Sequence, residues 1–444
     1  MKFINTNTNK KFREVAIGNS TLYVHGYINY TDNDLFTKLD KGIVPIDLKG
    51  QFGIIFISND FWLGIADHLC TTQLFYSKDH ISPNLKDVKD NTKFLHKDSL
   101  CESQLDILRI HTVGDVTPWK EIKRIDFQHY VKNGTQYEYA NILHEPTTLY
   151  NKEYAYDTYM QAIKNMDIKD PTLLFSSGRD SAFMAMLLKE AGFDPRLINI
   201  TSKNANHVAD RIGTERYRQE LGWVIDDYDI EYSGPTTEDD AELFCSNYWH
   251  DTTHPPKRHA CEMYNGTKLT GEVTIASHIK KNYGNYFINA SNRIKIEDVI
   301  NLYITYTHSL QTSKEPRVLS KDRLGSKAKS EGYDYIFEYY RNIINNIDKP
   351  KLYSHCIWVN RSFCSQRIYA QSQDPSNEWG NVFSDYDVFN MNSNIDYTTD
   401  TSKDRIKKYP LYQVAKMFKS WTDISWDSPI VGLGIPSKNK FRNV

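Results

Sequence analysis

The residues best suited to chemistry lie in one run, Ser176-Ser177-Gly178-Arg179-Asp180-Ser181. The apolar stretch Pro171-Thr172-Leu173-Leu174-Phe175 precedes it, and a second apolar stretch runs from Ser181 to Ala191, ended by Gly192 where a helix would stop. A short strand thus delivers the chain into small side chains, and a helix begins at once. Small residues let a polyanion reach the backbone. The helix N-terminus adds N–H groups and a partial positive charge, so the unit suits phosphate. Asp180 conflicts with that reading unless a cation lies between its carboxylate and the phosphate. Mg²⁺ accepts both kinds of oxygen and removes the conflict. Ser176 and Ser181 add hydroxyl donors. The plainer alternative, a turn with an N-cap, uses the same residue types and stays open at this point.

Other reactive side chains are less organised. Cys70, Cys101, Cys245, Cys261, Cys356 and Cys364 form no CxxC pair and have no His at zinc-site spacing. They read as buried or idle thiols, and no structural metal is expected. His250, His254 and His259 are interrupted by Pro255 and Pro256, which leaves a loop rather than a helix face. The net charge of −2 argues against nucleic acid or an acidic membrane as a general partner. No apolar run approaches the ~20 residues that span a bilayer. Met1-Lys2-Phe3-Ile4-Asn5-Thr6 starts no signal peptide, so the cytoplasm is the expected compartment.

The elements that must position the loop follow from periodicity. A chain of 444 residues, 40% hydrophobic and 25% charged, is expected to form two soluble domains. The first ~145 residues read as β-rich, with apolar runs at Leu22–Ile28, Phe52–Ile57 and Trp62–Ala66. Ser58-Asn59-Asp60 and Lys132-Asn133-Gly134-Thr135 are hairpin turns by their residue types. After His144-Glu145-Pro146 the pattern becomes strand and helix in alternation. Helix is expected at Glu153–Asn165 and at about Ala205–Leu221, and strand at Arg196–Ile200 and Val224–Ile230. That alternation predicts βαβ units on a parallel sheet. From Ile296 onward the chain reads mainly helical.

The loop resembles the SGGxDS pyrophosphate loop of the N-type ATP pyrophosphatases, with Ser177 in place of the second-position Gly. The resemblance implies that the loop grips pyrophosphate, that Asp180 binds Mg²⁺, and that adenine lies near the end of the next strand, Ile198-Asn199-Ile200-Thr201, at about Ile200. Gly50-Gln51-Phe52-Gly53-Ile54-Ile55-Phe56, Gly64-Ile65-Ala66-Asp67, Leu74-Phe75-Tyr76-Ser77 and Gly114–Ile122 are similar to class II glutamine amidotransferase segments, among them the pattern ArDxxGxxPLYY. Val382-Phe383-Ser384-Asp385 is similar to the PFLD stretch that shapes the synthetase pocket. Gly434–Arg442 is similar to a late lysine segment in which Lys440, or Lys438, stabilises charge on the α-phosphate. Over nearly the whole chain the resemblance is to the asparagine synthetase and β-lactam synthetase superfamily.

That resemblance implies an α/β architecture. An N-terminal antiparallel β-sandwich of the amidotransferase (Ntn, α+β) kind would occupy 1–147. A parallel-sheet adenine nucleotide α-hydrolase-like (PP-loop) domain with a helical C-terminal part would occupy 148–444. The implied cofactors are ATP and Mg²⁺, and the implied partners a small-molecule carboxylate and ammonia or an amine. Two departures matter. Glutamine-dependent members begin with a cysteine, whereas this chain begins Met1-Lys2-Phe3, so glutaminase activity is not expected. Leu269-Thr270-Gly271-Glu272-Val273-Thr274-Ile275 falls where the family reads SGEGADE and lacks the acidic pair. Two other readings therefore stand beside the ligase: a PP-loop enzyme of 7-deazaguanine or nucleobase chemistry, and a non-catalytic nucleotide-binding protein.

Overall fold

The computed structural model describes residues 1–6, 12–108, 112–127, 129–139, 151–201, 205–229, 264–269, 330–345, 378–394, 410–422 and 424. Its first part comprises β1 (Lys2–Phe3), β2 (Arg13–Ile17), β3 (Ser20–Ile28), α1 (Asp32–Asp40), β4 (Gly50–Ile57), β5 (Trp62–Ala66), β6 (Phe75–Tyr76), β7 (His80–Ser82), α2 (Leu85–Asn91), α3 (Ser99–Leu108), β8 (Lys123–Arg124), β9 (His129–Lys132) and β10 (Thr135–Glu138). These strands form two sheets, ordered β10-β9-β5-β4-β3-β2 and β1-β7-β6-β8.

Alternation along β4 explains why the sheets stack. Phe52, Ile54 and Phe56 join Leu35, Phe36 and Leu39 of α1 on one face. Ile55 points the other way, into a cluster with Tyr76 and Ile81 of the smaller sheet. The smaller sheet turns Phe75 outward against Leu85, Val88 and Cys101 of α2 and α3. Helix, sheet, sheet and helix thus follow one another as layers. Both expected hairpins are present. Ser58 Oγ accepts from the Phe61 amide at 3.1 Å. Asn133 and Gly134 carry φ of 49° and 87°, the left-handed pair that a tight hairpin needs. The larger sheet is antiparallel throughout, as expected, whereas the smaller one contains a parallel pair, β1 with β7. No hairpin joins those two strands, so nothing local sets their direction. Helices α1–α3 were not legible in this β-rich stretch because they are short and polar-faced. The first two start at side-chain caps, Thr31 and Asn84.

The later part comprises α4 (Lys152–Asn165), β11 (Thr172–Leu174), α5 (Arg179–Glu190), β12 (Arg196–Thr201), α6 (Ala205–Leu221), β13 (Ile225–Asp229), β14 (Thr267–Leu269), α7 (Glu331–Asn345), β15 (Glu378–Gly380), α8 (Tyr386–Asn394) and α9 (Pro410–Ala415). Its sheet is ordered β13-β12-β11-β14-β15, and every pairing in it is parallel. The predicted β11–α5–β12–α6–β13 alternation is present with boundaries shifted by a residue or two. The helical reading after Ile296 holds for α7, α8 and α9 but not for Glu378–Gly380, which is a strand. Three residues are too few to show a period. The core of this part gathers Tyr159 and Ile163 of α4, Leu173, α5 from Ala182 to Leu188, Phe383, and Leu411 and Val414 of α9. No helix among the described residues is long and apolar enough to cross a membrane.

Candidate functional site

Strand β11 is the centre of the parallel sheet, and the chain changes direction there. It proceeds to β12 and β13 on one side, and later to β14 and β15 on the other. In such sheets a crevice opens at the carboxyl ends of the strands where the order reverses, and ligands bind in it. The loop that leaves β11 at that end is Phe175 to Gly178. The Phe175 amide donates to the Ile198 carbonyl of β12 at 2.8 Å, which holds the loop root against the neighbouring strand.

The loop turns within three residues. Ser177 adopts φ 55° and is buried, so a residue with a Cβ occupies the left-handed region that glycine fills without strain. Gly178 is the cap of α5, with φ −70° and ψ 162°, and as a glycine it makes no side-chain cap hydrogen bond. Ser181 Oγ donates to the Gly178 carbonyl at 3.1 Å and accepts from the Ser176 amide at 3.3 Å. Ser176 Oγ lies 3.3 Å from it. The two hydroxyls brace the loop from inside, while Ser176 itself is exposed. Helix α5 begins at Arg179, two residues before the expected start, and Asp180 is half-buried in its first turn. A carboxylate there also complements the helix dipole.

Helix α5 is buried along its length, from Ser181 to Leu188. Phe183 packs edge-on to Tyr159 with ring centroids 5.0 Å apart and meets Phe383 at 5.8 Å. A helix so enclosed keeps its N-terminus in a fixed place, which an anion site requires.

The other predicted residues divide into those that the sheet brings to this edge and those beyond the described residues. Ile200 is partly exposed near the carboxyl end of β12, opposite Tyr228 of β13 and one strand from the loop. Strand β14 ends at Leu269, paired with Leu173 of β11. Glu272, Lys438, Lys440, His250, His254 and His259 lie outside the described residues. Among the described residues no three His, Cys, Asp or Glu side chains gather as a metal cluster. Mg²⁺ commonly takes one or two protein carboxylates and completes its shell with phosphate and water oxygens, so Asp180 together with a bound phosphate fits its needs.

Two further groups lie near this edge, and the first was not legible in the sequence. The first lies under α6. Asn199 Nδ2 donates to Asp227 at 3.1 Å, and Arg218 Nη2 meets the same carboxylate at 2.9 Å. Burial opposes ionisation of Asp227, but the hydrogen bonds from Arg218 and Asn199 outweigh it and hold the carboxyl below its ordinary value. This network ties β12, β13 and α6 together behind Ile200. The second is the turn after β15. There the Asn381 side chain accepts from the Phe383 amide at 2.8 Å, and Asp385 accepts from the Asp387 and Val388 amides at 2.9 and 3.1 Å to start α8. The first has no local pattern, since it is assembled from separate elements, whereas the second is a run of short-range bonds within and just beside the Val382–Asp385 stretch that the sequence singled out.

No protein-family model matches the chain, and it has no significant similarity to a curated protein. The function is therefore a matter of the site itself.

Proposed function

We propose that the chain is an ATP-dependent, AMP-forming carbon–nitrogen ligase of the asparagine synthetase kind. The observation that carries this reading is the phosphate loop at the direction change of an all-parallel sheet, with Ser177 in a left-handed conformation. The resembled SGGxDS loop has Gly at that position, where φ is free to be positive. A second position agrees. In the pattern ArDxxGxxPLYY a Gly stands three residues after the Asp, and here Cys70 stands three after Asp67 with φ 52°. Side chains differ from the pattern at both places while the backbone keeps the glycine conformation.

In this reading Ser176, Ser177, Gly178 and Ser181 hold pyrophosphate through backbone N–H and hydroxyl groups, and Ile200 borders the adenine. Asp180 holds Mg²⁺, which neutralises the phosphate charge when bound. A substrate carboxylate oxygen attacks the α-phosphorus, the bond to the β-phosphate oxygen breaks, and pyrophosphate leaves. Ammonia or an amine then attacks the acyl carbon, AMP departs and a proton is released to solvent. The resemblance assigns charge stabilisation to Lys440 or Lys438. The two cysteines among the described residues, Cys70 and Cys101, are buried, and burial pushes the Cys101 thiol up to about 12. Buried thiols make poor nucleophiles, and this reading takes free ammonia or an amine as the donor.

The test is incubation with ATP, Mg²⁺, ammonia and a panel of amino acid and other carboxylates, with AMP and pyrophosphate measured. Production of both with at least one acid, and weakening of Mg·ATP binding by about tenfold or more in Asp180→Asn, is expected. Nucleotide binding without turnover for any acid would favour the non-catalytic reading. Absence of binding would remove both.

A further inference from the structure

The first domain reaches the turn after β15 with three polar contacts, from the end of β3, the start of β4 and the residue just before β4. Tyr27 of β3 donates its hydroxyl to the Asp385 carboxylate. Gln51 of β4 donates to the Asn381 carbonyl at 2.8 Å. Lys49 pairs with Asp387 at 3.1 Å and lies over the Tyr386 ring. His68 packs edge-on to Tyr386 with ring centroids 5.1 Å apart. Between the two bonded residues of this turn sits Phe383, fully buried, whose ring meets Phe183 of α5 and Tyr159 of α4. Phe183 is one turn from the phosphate loop.

We propose that Tyr27 and Gln51 are positioning residues for the phosphate loop, acting through Asp385, Asn381 and Phe383 on helix α5. The physical basis is close packing. Asn381 and Asp385 are both buried and bonded on either side of Phe383, so they fix where that ring enters the core. A close-packed core passes a displacement of one ring to the next rather than absorbing it. The first domain is then a buttress for nucleotide binding, whatever supplies the amine. This inference rests on reading Ser176–Ser181 as the nucleotide loop.

The test uses the full chain with Tyr27→Phe, Gln51→Ala, Asp385→Ala and Asp385→Asn. Tyr30→Phe is the control, because it removes a tyrosine–carboxylate bond of the same domain, Tyr30 to Asp47, that does not lead to α5. Two readouts are taken: amide hydrogen exchange of peptides covering 173–190, and Mg·ATP affinity by calorimetry. Tyr27→Phe and Asp385→Ala are expected to speed exchange in 179–185 and to weaken Mg·ATP about fivefold, the net worth of one hydrogen bond. Asp385→Asn, which keeps the cap, is expected to recover most of the loss. Exchange in 179–185 that matches wild type in Tyr27→Phe and Gln51→Ala, while peptides over 381–389 loosen, would overturn the coupling. Exchange judges the coupling without nucleotide, and wild-type Mg·ATP binding judges the ligase reading, so the two can fail separately.

Discussion

Ser177 carries backbone strain at the centre of the proposed site. A left-handed backbone costs roughly 1–2 kcal/mol for a residue with a Cβ, and glycine's greater freedom in the unfolded chain offsets about half of any relief. Ser177→Gly is therefore expected to stay within about 1 kcal/mol of wild type in urea unfolding and to keep Mg·ATP binding. Ser177→Val adds a β-branch to the same φ and is expected to lose about 2 kcal/mol together with nucleotide binding. Equal behaviour of the two variants would mean that φ at this position does not matter. Asp385 is the second telling residue. Burial, opposed by the Tyr27 hydrogen bond, raises its carboxyl above the ordinary 3.8. The folded value then lies above the unfolded one, so the native state holds this proton more tightly. Its contribution to stability is present below pH 3.8 and is lost as pH rises through the raised value. Asp385→Asn has no such proton, so its stability relative to wild type is expected to rise over that window. Urea midpoints of the pair from about pH 4 to about pH 8 check this, and a constant difference would refute it. The ionisable groups that act on this carboxyl, Tyr27 and Asp387, are common to both proteins.

At the scale of elements, α7 is the instructive case. It comes late in the chain yet lies on α3 of the first part. The Gly332 amide donates to Ser103 Oγ at 3.0 Å, and Tyr339 donates to Asp126 at 2.7 Å. A Cβ at Gly332 would stand 2.5 Å from the Ser103 carbonyl carbon and 2.7 Å from the Gln104 amide nitrogen, both backbone atoms that cannot swing aside. Gly332→Ala is expected to cost about 1–3 kcal/mol, seen as a lower urea midpoint with unchanged slope. A neutral result would mean that the two helices are not in this contact in solution. By contrast α5 was legible in advance, because a run of apolar residues ending at Gly192 is a local signal. The helices α1–α3 and the three-residue strands β14 and β15 were not, since their formation depends on what covers them.

For the whole molecule, α7 on α3 and the turn after β15 on β3 and β4 join the two halves by buried contacts at two separate places. Cooperative units share buried contacts, so unfolding is expected as a single transition, with tryptophan fluorescence and far-ultraviolet circular dichroism coincident. The double variant Tyr27→Phe with Gly332→Ala weakens both junctions and is expected to separate the two probes. Coincident curves in that variant would show that the halves are coupled elsewhere.

The sequence by itself determined the strand–loop–helix unit around Ser176–Ser181, the β11–α5–β12–α6–β13 succession and the two hairpins of the first part. Each depends on neighbours a few residues apart, and helix and strand periods record such contacts directly. Only the tertiary structure decided that Leu269 lies beside Leu173, that Gly380 follows Leu269 in the sheet, and that Tyr27 meets Asp385 across 358 positions of sequence. It also showed that Gly178, with no side-chain cap, starts α5 and that Ser177 takes a glycine conformation. Contacts between distant segments leave no period behind them. A left-handed serine looks like any other serine until the strand before it and the helix after it are both held in place.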